Sequence, residues 1–419
     1  MSEKKRIVVT GIGSMACTGV GVEANWDNLI NGRSGIDKIT YFDTSDYRVH
    51  IGGEVRDLDP TQYGFTPRDA TRYDRSVLLG VSAATDAIRD AGLDFETRGE
   101  NLDVGVIVGT GMGGVANISK MSMVIVEKGP SRVTPFLVPS GTPEVTAHTV
   151  ALKHGIHGAT FGVNTACAAG TDAIITAVKR LQYGTENIIV AGGAESAVCE
   201  ISFAAFGNMK ALSTWDGDGD PKRVSRPFEK NRSGFVMSEG AGILILETLE
   251  HAKSRGARIY AEIAGCGQTT DAYHMTAPEP SGKYVAPAME MALKEAGLPP
   301  ESVGYINAHG TSTKYNDRTE TKAIKKVFGE HAYNLCVSST KSMTGHMVGG
   351  CGGVEAMVCM KVLETGIIPP TINYEEPDPE CDLDYVPNKA REKNVTVVAS
   401  SNLGFGGHNA VLLFKKFEG

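Results

Sequence analysis

An α/β protein built from two copies of one folding unit is what this sequence predicts, and three observations carry that reading. Strand-like and helix-like segments alternate along all 419 residues, the pattern of an α/β fold. A helical segment at 83–93 ends in Ala91-Gly92-Leu93 and is followed by strand-like Val104-Gly105-Val106-Ile107; a second, at 288–298, ends in Ala296-Gly297-Leu298 and is followed by Val303-Gly304-Tyr305-Ile306. Another unit recurs as well. The strand-like run 159–163 passes through small residues into a helix stopped at Gly184, and the run 335–339 does the same before a helix at 354–363 stopped at Gly366. Two units repeating in the same order predict two halves, 1–256 and 257–419, with no flexible linker between them.

Composition narrows the class. The chain is 41% hydrophobic and 21% charged, enough for a large core or two fused ones. A net charge of −8, with no basic run longer than Lys4-Lys5-Arg6, gives no nucleic-acid footprint. The eight cysteines are scattered and none forms a CxxC pair, which suggests neither a zinc site nor a disulfide framework and fits a reducing compartment. No segment approaches the ~18 apolar residues of a membrane span, and the N-terminus runs into Ile7-Val8-Val9-Thr10 rather than a signal-type stretch. The expectation is a cytoplasmic protein without membrane insertion.

Taken in order, the first strand meets Gly11-Ile12-Gly13-Ser14-Met15-Ala16, a formal match to the GxGxxA dinucleotide fingerprint. Cys17 to Gly21 continue as loop and the helix starts only near Val22, so these glycines would not set a helix N-terminus on a pyrophosphate. An insertion at about 115–152, rich in Met, Pro and Val, reads as irregular but apolar chain that needs cover from a partner subunit or the rest of the fold. Residues 223–240 read as a polar surface loop before a strand at 241–246. The last two strands, 395–399 and 410–414, are joined by Ser401-Asn402-Leu403-Gly404-Phe405-Gly406-Gly407-His408-Asn409. Three glycines around one aromatic make that loop deformable, with Phe405 as either a gate or a buried turn.

Cys167 lies in Asn164-Thr165-Ala166-Cys167-Ala168-Ala169-Gly170, at the end of a strand and the start of a helix. Unpaired N–H groups and the helix dipole favour an anion there, so a lowered thiol pKa is expected. The stretch alone leaves open an inert core thiol. Two histidines occupy comparable places in the second half: His309 in Asn307-Ala308-His309-Gly310-Thr311-Ser312-Thr313, and His346 in Lys341-Ser342-Met343-Thr344-Gly345-His346. Ligands bind beyond the carboxyl ends of strands in α/β sheets, and a twofold duplication would bring the thiol and both imidazoles to one floor. A Cys at a helix start with two strand-end His resembles acyl-transfer machinery.

These blocks, together with Gly404-Phe405-Gly406-Gly407-His408-Asn409, resemble the elongating β-ketoacyl-[acyl-carrier-protein] synthases, the synthase II branch most closely. The resemblance runs from Ile7 to the C-terminus. It implies the thiolase fold, two pseudo-duplicated halves in a five-layered αβαβα sandwich, usually as a homodimer. It implies that Cys167 takes an acyl group from an acyl-carrier protein, with the N–H groups of Cys167 and Phe405 as oxyanion hole. His309 and His346 would bind the malonyl thioester carbonyl as carbon dioxide leaves. Lys341 would position these groups, and Glu355 would orient the Lys341/His346 region. By the same resemblance Thr311 and Thr313 contact pantetheine, Gly404 and Gly406 shape the loop beside the substrate, and Met112, Phe206, Phe136 and Leu137 line the acyl tunnel, the last two crossing from the partner subunit. No cofactor is required; a structural monovalent cation near Asn307 and Glu355 is the one metal the resemblance allows. An acidic carrier needs a local basic patch, for which Arg68, Arg72, Lys120, Lys128, Arg132 and Lys210 are candidates.

The gating loop departs from the family, which more often shows Asn-Ser-Phe before Gly-Phe where this chain has Ser401-Asn402-Leu403. Met112 is bulkier than the smallest residues found at its position. Two other functions compete: a stand-alone polyketide-type ketosynthase, which would use the same three groups, and a non-catalytic acyl-carrier-binding protein.

Overall fold

The computed structural model describes residues 4–215 and 217–419. Ten strands form the framework. The first half supplies β1 (Ile7–Ala16), β2 (Val104–Gly109), β3 (Thr160–Val163), β4 (Ile188–Ser196) and β5 (Glu239–Thr248). The second half repeats them as β6 (Ala261–Thr270), β7 (Tyr305–Asn307), β8 (Cys336–Ser338), β9 (Val397–Gly404) and β10 (His408–Lys416). The order across the sheet is β8-β7-β9-β10-β6-β1-β5-β4-β2-β3, so each half reads identically outward from the centre. β2 is parallel to β3 and β4, and β7 to β8 and β9. In the sheet the halves join at β1 and β6 through Val8–Glu262 and Val9–Ala261.

Helices keep the same correspondence: α1 (Arg75–Asp90), α2 (Val145–His154) and α3 (Ala169–Tyr183), then α4 (Val285–Ala296), α5 (Lys314–Phe328) and α6 (Cys351–Thr365). α3 and α6 touch each other and strands of both halves, whereas α1 covers β1, β4 and β5 and α4 covers β6 and β10. The layers are therefore helix, sheet, helix, sheet, helix. Burial explains the helices. α3 hides Ile174, Ala177, Val178 and Leu181 at helical spacing, and α4 and α6 stop at left-handed Gly297 (φ 65) and Gly366 (φ 71). α6 is buried on every side from Cys351 to Leu363, so its start carries no amphipathic stripe, and periodicity finds only its later part.

Three expectations are corrected. The Gly11–Ala16 segment is not loop but the second part of β1. A Cβ on Gly13 would lie 2.0 Å from the Ala83 carbonyl, and one on Gly267 of β6 would lie 1.8 Å from that of Ala288. These glycines let α1 and α4 press against their strands, one device used in both halves. The 115–152 insertion is largely helical: Val115–Lys128 is a helix, Leu137–Gly141 a short one, and α2 belongs to the repeated unit, matching α5. The Val115–Lys128 helix buries none of its own residues within this chain, and Val126 is 82% exposed. The 223–240 segment is no surface loop. Phe228, Glu229 and Arg232 are fully buried, with Arg232 Nε 3.1 Å from Asp317 and Nη1 2.8 Å from Asp378. Its polarity is hidden by pairing rather than by solvent.

No helix among the described residues is long and apolar enough to cross a membrane. Gly13→Val is expected to cost about 2–4 kcal/mol, because Ala83 cannot retreat without lifting α1 from the sheet. Thermal melting measures it, and an unchanged midpoint would contradict this packing.

Candidate active site

β3 ends at Val163, and the chain turns through the 3-10 turn Ala166–Ala168 into α3. Cys167 sits in that turn, 8% exposed, among the apolar side chains of Phe203, Phe235 and Val348. His346 follows the short helix Lys341–Thr344. Its Nε2 lies 3.1 Å from Cys167 Sγ. His309 follows β7, and its ring stands 5.3 Å from that of His346, nearly perpendicular to it. The thiol of one half thus meets two buried imidazoles of the other.

Close backbone packing brings them together. A Cβ on Gly170 would fall 2.7 Å from the Gly349 carbonyl, so the N-terminal ends of α3 and α6 meet with nothing between them. The turns are strained to reach this point. Ala166 (φ 50), Ser312 (φ 72) and Val348 (φ 44) are left-handed without being glycine, and each flanks one of the three groups. Such residues persist only where the surrounding structure overdetermines them.

Burial governs the electrostatics. The Cys167 thiol is pushed up to about 11 by burial, against the opposing effects of the Phe405 N–H, the Lys341 charge and its own N–H. The expected lowering is therefore overturned: both N–H donors address the sulfur, yet desolvation outweighs them. His309 and His346 are each held well below the usual imidazole range, first by burial and then by the Lys341 charge. Both are neutral at pH 7. Lys341 Nζ pairs with Glu355 Oε1, and Asn402 Nδ2 donates to Glu355 Oε2 at 2.7 Å. Burial works against the Lys341 charge, but the Glu355 carboxylate more than compensates and raises its pKa.

A cavity of about 360 Å³ runs from these groups to the surface, within the range of small-ligand sites. Thr311 and Thr313 line it, their hydroxyls 2.9 Å apart. Phe206, Gly404 and Phe405 line it too, the two aromatic rings 6.2 Å apart. A Cβ on Gly404 would meet the Thr165 carbonyl at 2.8 Å and the Cys167 N–H at 3.2 Å. Gly406 takes a left-handed turn (φ 85), and its N–H donates to Met275 O at 2.8 Å. Lys210 lines the cavity mouth, joined by Lys314, which sequence reasoning passed over.

Other expected residues lie apart. Met112 packs in the apolar cluster around Cys167 but not on this cavity. Phe136 and Leu137 sit beside the exposed helix Val115–Lys128, Phe136 beneath the Arg72 guanidinium, and within one chain they do not reach the thiol. Asn307 pairs in register with Ser400 on β9, and the Asn307 amide and Ser400 hydroxyl make no hydrogen bond among the described residues. Both Glu355 oxygens are already engaged, by Lys341 and Asn402.

Three neighbours escaped sequence reasoning. Glu195 ends the apolar β4 and accepts from the Gly111 and Gly349 N–H groups at 2.6 and 3.3 Å, its carboxyl pushed up to about 7 by burial. Glu320 accepts from the His309 and Gly310 N–H groups, both at 2.8 Å, and burial pushes it too up to about 7. Cys351 Sγ lies 3.1 Å from His346 Nδ1. A carboxylate ending an apolar strand and a thiol inside a glycine run were the available signals.

Comparisons with known proteins agree with this arrangement. Residues 4–252 match the model of the β-ketoacyl synthase N-terminal domain and residues 260–375 that of its C-terminal domain. The chain is 48% identical to a 3-oxoacyl-[acyl-carrier-protein] synthase 2 of Synechocystis sp., over 99% of both chains. It is 45% identical to one of Staphylococcus aureus, over 100% of both. Among solved structures it superposes on the ishigamide ketosynthase/chain length factor with a TM-score of 0.92 (37% identity, 99% of this chain and 100% of that one). A ketosynthase complexed with its type II polyketide acyl-carrier protein gives 0.91 (35% identity, 99% and 100%).

The raised thiol pKa predicts how the unloaded protein alkylates. The rate of Cys167 modification by iodoacetamide should rise about tenfold per pH unit from 8 to 10; a plateau below pH 9 would contradict the burial argument. Lys341→Met should cost about 3–5 kcal/mol of stability, because Glu355 is left buried and unpaired. Denaturant titration measures the loss.

Proposed function

The chain belongs to the β-ketoacyl synthase family, and we propose that it is a 3-oxoacyl-[acyl-carrier-protein] synthase of type 2, lengthening acyl chains by two carbons through decarboxylative Claisen condensation. The observation that carries the proposal is the Cys167 thiol 3.1 Å from a neutral His346, with His309 beside it, at the inner end of a cavity that reaches the surface.

In this reading, Cys167 sulfur attacks the acyl-carrier thioester, the carrier thiol leaves with a proton, and the acyl group stays on the enzyme. The N–H groups of Cys167 and Phe405 hold the oxyanion. A malonyl thioester then enters past Thr311 and Thr313. Neutral imidazoles at His309 and His346 donate hydrogen bonds to its carbonyl oxygen, so charge developing there as carbon dioxide leaves is stabilised without first displacing a positive charge. The resulting carbanion attacks the acyl-Cys167 carbonyl, the C–S bond breaks, and the Cys167 thiolate that leaves takes a proton from solvent to regenerate the thiol. Loss of carbon dioxide drives the step, so no nucleotide enters. Lys341, fixed by Glu355, supplies positive potential and adds to burial in keeping both imidazoles neutral. The nucleophile belongs to the 1–256 half and both imidazoles to the 257–419 half in the division proposed here.

The apolar helix Val115–Lys128 supports a homodimer: it buries none of its own residues within the chain, and Met123, Ile125 and Val126 are exposed, the kind of surface that a partner subunit covers. Phe136 and Leu137 would then reach the partner's acyl pocket. Exposed Lys210 and Lys314 at the cavity mouth suit an acidic carrier protein, with Arg68, Arg72, Lys120, Lys128 and Arg132 further out on the dimer face. We place the reaction in the cytoplasm. A polyketide-type ketosynthase is the second reading, favoured by the likeness to a ketosynthase solved with its type II polyketide acyl-carrier protein. Turnover of purified protein against a ladder of acyl-carrier thioesters separates the two.

Cys167→Ala should abolish acyl-enzyme formation; a thioester trapped in that variant, or a protein that binds the carrier without condensing activity, would overturn the assignment. His309→Ala and His346→Ala should each slow malonyl decarboxylation by about 10²–10³-fold, measured as carbon dioxide release. Met123→Glu with Val126→Glu should shift the sedimenting species from dimer to monomer.

A further inference from the structure

His346 has two ring nitrogens, and only one faces the nucleophile. Nε2 points at Cys167 Sγ, 3.1 Å away, and Nδ1 points at a second sulfur, Cys351 Sγ, also at 3.1 Å. Cys351 is fully buried at the first position of α6. The Met347 N–H donates to that same sulfur at 3.2 Å.

Which nitrogen of a neutral imidazole carries the proton is decided by the partner of the other. The Cys351 sulfur already accepts one N–H. Its own S–H has no carbonyl or carboxylate acceptor among the described residues, and Nδ1 is the group within reach. If Nδ1 carried the proton instead, two N–H donors would converge on one weak acceptor and the S–H would have no acceptor. Once Cys167 carries an acyl group it has no S–H to offer Nε2, and the arrangement of the acyl-enzyme that satisfies every donor is N–H of Met347 to the Cys351 sulfur, S–H to Nδ1, and the imidazole proton on Nε2.

We infer that Cys351 is a positioning residue whose thiol, donating to Nδ1, fixes His346 as the Nε2–H tautomer and so aims its proton at the reacting thioester. The inference rests on the proposed condensing activity for its consequence but not for its geometry. Burial keeps the Cys351 thiol protonated, well above the ordinary thiol range, so the donor is present at every working pH. The other groups near the ring leave Nδ1 to this thiol: Phe235 meets the ring at its edge, His309 stands perpendicular, and Lys341 is paired with Glu355. Removing the sulfur leaves the Met347 N–H without its acceptor and Nδ1 without its donor.

Histidine-¹⁵N-labelled protein tests this directly, with the His346 signals assigned by their loss in His346→Ala. With Cys167 alkylated by iodoacetamide, so that no S–H faces Nε2, the expected spectrum shows a protonated Nε2 and an unprotonated Nδ1. Finding the proton on Nδ1 overturns the inference whatever the protein catalyses. Cys351→Ala should lose the single tautomer and lower kcat for malonyl decarboxylation about threefold to tenfold, the weight of one modest hydrogen bond, with KM unchanged. Cys351→Ser, whose hydroxyl donates from the same place, should restore both. An unaltered His346 tautomer and unaltered kcat in Cys351→Ala would also overturn the inference. If Cys351→Ala does not fold, the spectrum of the Cys167-alkylated parent protein still decides. Absence of any condensing activity in the unmodified protein would instead count against the proposed function and leave the tautomer assignment standing on the spectrum.

Discussion

The structure depends on one contact: the backbone-to-backbone meeting of α3 and α6 at their N-terminal ends. Gly170 faces the Gly349 carbonyl, and Gly353 lies so close to Gly242 that a Cβ would fall 1.8 Å from its carbonyl oxygen. No side chain separates the two helices there, so the turn preceding α3 and the turn preceding α6 come within one hydrogen-bond length of each other. Cys167 and His346 occupy those two turns. The strained backbone at Ala166 and Val348 is the local cost of that approach, sustained by a middle layer buried on both faces.

Burial then sets the chemistry. A site this dry penalises every charge, and the groups respond by pairing or by staying neutral. Lys341 and Glu355 pair. Cys167, His309 and His346 stay neutral, while Glu195 and Glu320 gather backbone N–H groups and still rise to about 7. Neutral imidazoles are suited to donate hydrogen bonds in the enolate-forming step proposed above, and a thiol high in its range is little ionised at pH 7. The same environment that weakens the resting thiol prepares the two histidines.

The twofold repeat explains why the working groups are shared between halves. Each half ends its second and third parallel strands at the same rim, and stacking the halves about α3 and α6 brings the two rims together. The first half contributes the sulfur and the second the rings. Elements without a counterpart, such as the helix Val115–Lys128, sit outside this symmetry and present apolar side chains outward.

Much of this was legible in the chain. Alternation of strand and helix, the repeated Ala-Gly-Leu helix ends and the small-residue turns before α3 and α6 follow from local rules, because periodicity and turn chemistry act over a few residues. Cys167, His309, His346 and Phe405 could be picked out as candidates in the same way, since their motifs are contiguous, and the fold brings them to one cavity. Local rules failed where burial overrode them. The Gly11–Ala16 segment looks like a loop until α1 lies against it, the polar 223–240 segment looks exposed until Asp317 and Asp378 close on Arg232, and Cys167 looks acidic until desolvation is counted. Residue types and their order along the chain thus determined the fold class and the candidate reacting groups; protonation states, the partner of each buried charge and the sulfur behind His346 were decided only in three dimensions, because each depends on atoms far apart in sequence that exclude water together.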